Sequence, residues 1–326
     1  MDRRSFLRYG VGALGAVAAP ALLQACGGSK ARPGASSSPS PVKQGPPAPV
    51  QSLLDARVRD GAKPGLDVFQ GGSNHLAGMP TYVAFGLGAN GTPSNGADAT
   101  IWAVPDPASG RTASGPLPAR YHPYARPEGP PPLPQGVNSA IVTFDGPGTW
   151  YLVADAVAGG RRLVGWAAFE VYPKERSTTP YPGQPAIASQ TPTVSDHHGV
   201  DPICTRKPPC DMHQVTLASA LKSGKPVAFL IGTPAFCQSR VCGPNLDELI
   251  AVEKDIGSRA VFIHAEVYKD DKAETIQRQD VGPTFREWGL NSEPWLFLID
   301  RKGTIASRFE GPLTADQMKP ALTALL

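Results

Sequence analysis

The sequence predicts two folded domains in series: an all-β sandwich over residues 51–173 and an α/β domain over residues 196–326. Three observations carry this. In the first region, short runs rich in Val, Thr and aromatic residues are broken by Gly, Pro and Asn turns, with no amphipathic helix among them. In the second, continuous apolar runs alternate with segments of helical spacing. Between and before them lie Pro- and Ser-rich stretches, 26–50 and 174–195, which read as a flexible tether and an interdomain linker. A chain of 326 residues is also too long for one small core.

In the β region, strands are predicted at 66–70, 81–87, 99–104, 139–144, 150–154 and 164–171, a spacing that argues for a sandwich. Residues 105–134 are dense in proline and are expected to form a long surface excursion. Trp102, Trp150, Trp166 and Tyr151 are expected to fill the core. The run Asp145-Gly146-Pro147-Gly148-Thr149-Trp150-Tyr151-Leu152-Val153 resembles the turn and tyrosine-bearing strand of immunoglobulin-like domains, which implies an immunoglobulin-like sandwich. No catalytic constellation appears here, and partner binding is the expected role.

In the α/β region, helices are predicted at 216–222, 245–256 and 283–290, with a terminal helix capped by Thr314. Residues 226–233 and 260–267 are apolar throughout, as expected of strands buried on both faces. Residues 295–300 and 304–309 form a hairpin across Arg301-Lys302-Gly303.

Chemistry concentrates in the cysteines. There are five, and four of them (Cys204, Cys210, Cys237 and Cys242) fall close together. Clustered cysteines in even number imply disulfides in an oxidising compartment, and four allow three pairings. Five residues separate Cys237 from Cys242, about 140° around a continuous helix, so a bridge needs one of them in the loop before it. Pro244 suits the first helical position, and Arg240 adds positive charge. A thiolate at a helix start is stabilised, which makes the pair reactive; the alternative is a structural bridge. Cys204 and Cys210 are expected to close a compact proline-bearing loop as a disulfide staple, or to act as a relay dithiol. A four-cysteine zinc site is a further arrangement, disfavoured where disulfides compete. His75 and His122 are expected to be surface or packing residues.

The segment from Thr233 to Leu249, with its Pro-x-Leu-Asp-Glu-Leu tail, is similar to the redox loop and following helix of thioredoxin-like proteins. Ser292-Glu293-Pro294-Trp295-Leu296-Phe297-Leu298-Ile299-Asp300-Arg301-Lys302-Gly303 resembles the cis-proline loop, strand and turn of the TlpA/ResA-like branch. The resemblance covers roughly residues 200–326. It implies a thioredoxin-like fold and thiol–disulfide exchange without a cofactor. Cys237 would attack, Cys242 would resolve, and Pro294 would orient the partner backbone. Four residues between the cysteines, where thioredoxins have two, is the departure. Sco-type copper proteins share the fold and use two cysteines and a histidine. Copper delivery is thus an alternative, with His197, His198, His213 and His264 on offer, although that family spaces its cysteines by three and the cysteine–histidine set here does not match it, so no metal ligand set is assigned.

The first residues, Met1-Asp2-Arg3-Arg4-Ser5-Phe6-Leu7-Arg8, resemble a twin-arginine export signal read through Arg3 and Arg4. The stretch Leu23-Gln24-Ala25-Cys26 after a short apolar run resembles a bacterial lipobox. These resemblances imply a leader over 1–25, lipidation of Cys26, and a protein anchored outside the cytoplasm that meets exported cysteine-containing partners. The net charge of +3 falls towards neutral once the leader's arginines are removed, which gives no footing for nucleic-acid binding.

Overall fold

Two sheets organise the computed structural model, which describes residues 45–94, 96–125 and 135–326. Arg3, Arg4, Cys26, the expected leader and most of the expected tether lie outside the described residues. Residues 46–326 form one unit. Among the described residues no helix is long and apolar enough to cross a membrane.

The N-terminal part opens with helix α1 (Ala48–Arg59) and continues with β1 (Lys63–Pro64), β2 (Leu66–Gln70), β3 (His75–Leu76), β4 (Pro80–Ala89), β5 (Thr92–Pro93), β6 (Ala99–Pro105), β7 (Ser114–Pro123), β8 (Gly136–Thr143), β9 (Gly148–Ala158) and β10 (Arg161–Tyr172). These strands make one sheet in the order β1-β10-β9-β6-β7-β8-β4-β2, with β3 on β10 and β5 on β4. Only Gly65 separates β1 from β2, so the chain itself joins the two ends of that path. At this seam β10 passes close to β2. A Cβ on Gly165 would stand 1.8 Å from the Leu66 carbonyl oxygen, so only glycine fits. The result is a nearly closed barrel-like sheet, and the immunoglobulin-like form of the expected sandwich is not established by it. Strand spacing is the same in both architectures, and closure depends on pairing that spacing does not encode.

Side-chain alternation corrects the expected core. Ile101 and Trp150 point inward with Phe85, Phe144 and Leu152. Their neighbours Trp102 and Tyr151 point outward, and Trp166 packs with them beneath α1. Of the four aromatics assigned to the core, Trp150 lies inside the barrel, Trp102 is buried in the second core beneath α1, and Tyr151 and Trp166 pack half-buried against that second core. Helix α1 overlaps the end of the expected tether. It lays Val50, Leu53 and Leu54 on this outer face, and Arg57 and Arg59 complement its C-terminal dipole. Strand β7 lies within the expected surface excursion. Its first half, holding Pro116 and Pro118, pairs with β6, and its second half, from Arg120, pairs with β8. The prolines therefore fall where only one neighbour needs ladder bonds.

The C-terminal part holds α2 (Leu217–Ala220), β11 (Val227–Ile231), α3 (Cys242–Ile256), β12 (Val261–Ala265), α4 (Ala273–Gln277), α5 (Pro283–Glu287), β13 (Trp295–Ile299), β14 (Ile305–Glu310) and α6 (Ala315–Thr323). The sheet runs β12-β11-β13-β14, with β11 parallel to β12 and antiparallel to β13. Alternate residues of β11 serve two cores. Val227, Phe229 and Ile231 join Trp288 and Phe297 on one face; Ala228 and Leu230 meet Leu246, Leu249 and Met318 of α3 and α6 on the other. That double burial is why residues 226–233 read as an unbroken apolar run. Thr314 caps α6 in a capping box with Gln317.

The segment 174–195, expected as a linker, is bound along the α/β part. Ser189 Oγ accepts from Trp288 Nε1 at 3.0 Å, Thr191 Oγ1 from Leu217 N at 2.9 Å, and Gln184 O from Ile305 N at 2.9 Å. Its Ser and Thr hydroxyls satisfy buried donors, so polar composition here marks hydrogen bonding and not mobility. The two parts also meet directly. Glu310 of β14 accepts from Ser73 N and Asn74 N at 2.8 and 2.6 Å. Tyr124 Oη donates to Asn245 Oδ1 at 3.0 Å, and Ala125 N to Glu248 Oε1 at 2.6 Å, so the barrel braces helix α3.

Candidate redox site

Strand β11 ends at Ile231, and the chain then runs through Gly232 and Thr233 into a loop that delivers Cys237 before α3 begins at Cys242. Cys237 and Cys242 are disulfide-bonded, with Cα atoms 6.0 Å apart. The loop turns back on itself at Arg240, which has φ of 59° and is exposed. One cysteine is therefore in the loop and the other is the first helical residue, the arrangement that a separation of five requires. Helix α3 starts two residues ahead of Pro244, which still falls in the first turn, where no helical hydrogen bond is lost.

Glu293 closes the site from the opposite side. Its Oε2 accepts from Thr233 N at 2.7 Å and lies 3.3 Å from Cys242 Sγ. Burial pushes this carboxyl up to about 7, partly offset by the Thr233 hydrogen bond. Pro294 follows through a cis peptide bond. A Cβ on Gly232 would stand 3.1 Å from Pro294 Cβ and 3.4 Å from Cys242 Cβ, so these residues converge on one point. The Pro294 carbonyl accepts from Gly311 N at 2.9 Å. Cys242 is 1% exposed and Cys237 8%, so what access there is leads to Cys237. Glu293 was not among the residues singled out from sequence. Its place before Pro294 was visible, but its burial against a sulfur 51 positions away was not.

Cys204 and Cys210 are not bridged. Their sulfurs lie 3.8 Å apart, against about 2.05 Å in a disulfide, so the pair stands here as a dithiol, not as the bridged staple, and the relay alternative keeps its two thiols. Instead Cys210 Sγ is 3.3 Å from His213 Nε2 and 3.6 Å from His264 Nδ1. Cys204 is the easier of the two to ionise, because the Cys210 sulfur pairs with its thiolate and both imidazoles stand beside it; the same pairing pushes Cys210 up. This second cluster abuts the redox loop. His264 Nε2 donates to Gly232 O at 2.8 Å, and Thr205 Oγ1 accepts from Ala235 N at 3.1 Å. Of the four histidines weighed as ligands, His213 and His264 converge. His197 and His198 pair locally with Asp201 and Asp196. His75 packs against Phe169 inside the barrel, and His122 pairs with Asp316 at 2.7 Å.

Copper on the disulfide pair finds no support in the donor set. Among the described residues the third metal-capable group beside Cys237 and Cys242 is the Glu293 carboxylate, a hard oxygen where Cu(I) calls for a soft donor or imidazole.

Residues 213–326 match the family model described as a thioredoxin-like domain. A thiol:disulfide interchange protein of the thioredoxin family from Chlorobium tepidum TLS aligns at 16% identity over 45% of this chain and 97% of its own, with a TM-score of 0.30. StoA from Bacillus subtilis aligns at 16% identity over 30% of this chain and 82% of its own, with a TM-score of 0.24. A search of curated proteins finds no match to this chain. The C-terminal part of the chain is a thioredoxin-like domain.

Proposed function

We propose that this chain is a membrane-tethered, extracytoplasmic thiol–disulfide exchange protein acting on exported, cysteine-containing partners. One observation carries the chemistry: a disulfide at the start of α3 with a buried carboxyl against its inner sulfur. In the reduced protein the Cys237 thiolate attacks a partner disulfide. A mixed disulfide forms and one partner sulfur leaves as thiolate. The Cys242 thiol then passes its proton to the Glu293 carboxylate and attacks Cys237 Sγ, closing the Cys237–Cys242 bond and releasing the second partner thiolate. Two electrons move from the protein to the partner, and the reverse sequence oxidises a partner dithiol. A carboxyl near 7 is matched to this task, since it accepts and returns a proton at neutral pH. The test is the reduction potential of the pair together with insulin-disulfide turnover. A potential below about −300 mV with no turnover would mark a structural bridge.

The second reading is a non-catalytic scaffold lipoprotein, in which the bridge is a staple and the barrel does the binding. The low exposure of Cys237 favours it, and the same experiment separates the two. Tethering rests on the resemblance at Arg3, Arg4 and Cys26.

A further inference from the structure

We propose that Cys204, Cys210, His213 and His264 form a four-coordinate zinc(II) site, separate from the redox pair. Their donor atoms all lie within 4.8 Å of one another. A tetrahedral zinc with Zn–S of about 2.3 Å and Zn–N of about 2.0 Å requires sulfurs about 3.8 Å apart and sulfur–nitrogen separations of about 3.5 Å. The chain shows 3.8 Å between the sulfurs, and 3.3 and 3.6 Å from Cys210 Sγ to the two imidazoles. The ligands come from two directions. Cys204, Cys210 and His213 lie on a segment with little regular structure, and His264 lies on strand β12.

The surroundings favour a cation over a dithiol. His264 Nε2 donates to the Gly232 carbonyl at 2.8 Å, which leaves Nδ1 bearing the lone pair that faces Cys210. Both histidines and Cys204 are buried, where two thiolates without a countercharge are costly. Two thiolates neutralise Zn²⁺ without residual charge, both thiol protons being released on binding. With all four positions filled by protein the site is closed, which is the structural kind. Zinc here pins residues 204–213 against β12. It also fixes Thr205 and Gly232, which hold the redox loop. The site stands whether or not Cys237–Cys242 turns over.

The test uses the full chain purified without chelator, its metal content read by elemental mass spectrometry. We expect one zinc per chain, retained by the Cys237→Ser/Cys242→Ser variant and lost from the Cys204→Ser/Cys210→Ser variant. To separate ligand loss from unfolding in the latter variant, wild-type protein stripped by chelator is titrated with cobalt(II). Thiolate-to-cobalt charge-transfer absorption that zinc then abolishes supports the site. A metal-free native chain carrying a Cys204–Cys210 disulfide overturns it. So does copper in place of zinc, a cobalt titration with no thiolate band, or zinc that departs only with the Cys237–Cys242 pair.

Discussion

Changing Glu293 to Gln should stabilise the oxidised protein and slow its chemistry. The carboxyl is held at about 7 in the fold against an ordinary 4.5, chiefly by burial. Between these values the folded state keeps a proton that the unfolded chain releases, so stability falls as pH rises through the window. At about 1.4 kcal/mol per pH unit, the loss amounts to roughly 3 kcal/mol by pH 8. Glutamine keeps an oxygen for the Thr233 amide and removes the charge. The variant should match the wild type near pH 4 and exceed it by up to about 3 kcal/mol at pH 8. Denaturant melts of both oxidised proteins at several pH values read the difference directly. The same substitution removes the proton acceptor from Cys242, and a positioned general base is worth about 10²–10⁴-fold. Exchange should therefore slow and lose its pH dependence around 7. Parallel loss of stability with pH in the two proteins would refute the reasoning, because the titrating group would then not be Glu293.

Other consequences follow from the fold and from the proposed leader. Gly165→Ala should destabilise the barrel by several kcal/mol, as its Cβ would overlap the Leu66 carbonyl; calorimetry of the full chain gives the shift, and an unchanged melting temperature would contradict the seam. Val50→Ala together with Leu53→Ala should loosen α1 and expose Trp102, read as a red shift in tryptophan fluorescence. Arg3→Lys with Arg4→Lys should retain folded protein in the cytoplasm with its cysteines reduced, whereas Cys26→Ala should block lipidation and leave the fold intact. Cell fractionation with thiol labelling separates those two outcomes, and normal export of the double-lysine variant would remove the twin-arginine reading.

The α/β part was legible because its elements are buried on both faces. The apolar run at 226–233 and the Leu246, Leu249 and Val252 spacing carry their secondary structure openly. The cysteine pair at the strand–helix junction was legible for the same reason. Elements whose signal is masked by proline were not. Val50, Leu53 and Leu54 have helical spacing, but a Pro-rich flank disguised it, and β7 hides in a proline-dense stretch that needs ladder bonds on one side at a time. Barrel closure depends on β1 and β10 meeting across about a hundred positions, which no local pattern records. The pairing of cysteines with histidines was the larger miss. Cys204, Cys210 and His213 are near neighbours in sequence, but His264 joins them only because their segment runs beside β12, where Met212 O accepts from His264 N at 3.2 Å.

The central claim is that Cys237 attacks and Cys242 resolves. It is tested most directly by trapping the mixed disulfide. The full-length Cys242→Ser protein, reduced and then exposed to oxidised glutathione, should accumulate an adduct at Cys237, mapped by mass spectrometry. The Cys237→Ser protein should stay largely unmodified, since Cys242 is almost fully buried. Adducts forming at Cys242 in place of Cys237, or at neither, would contradict the account.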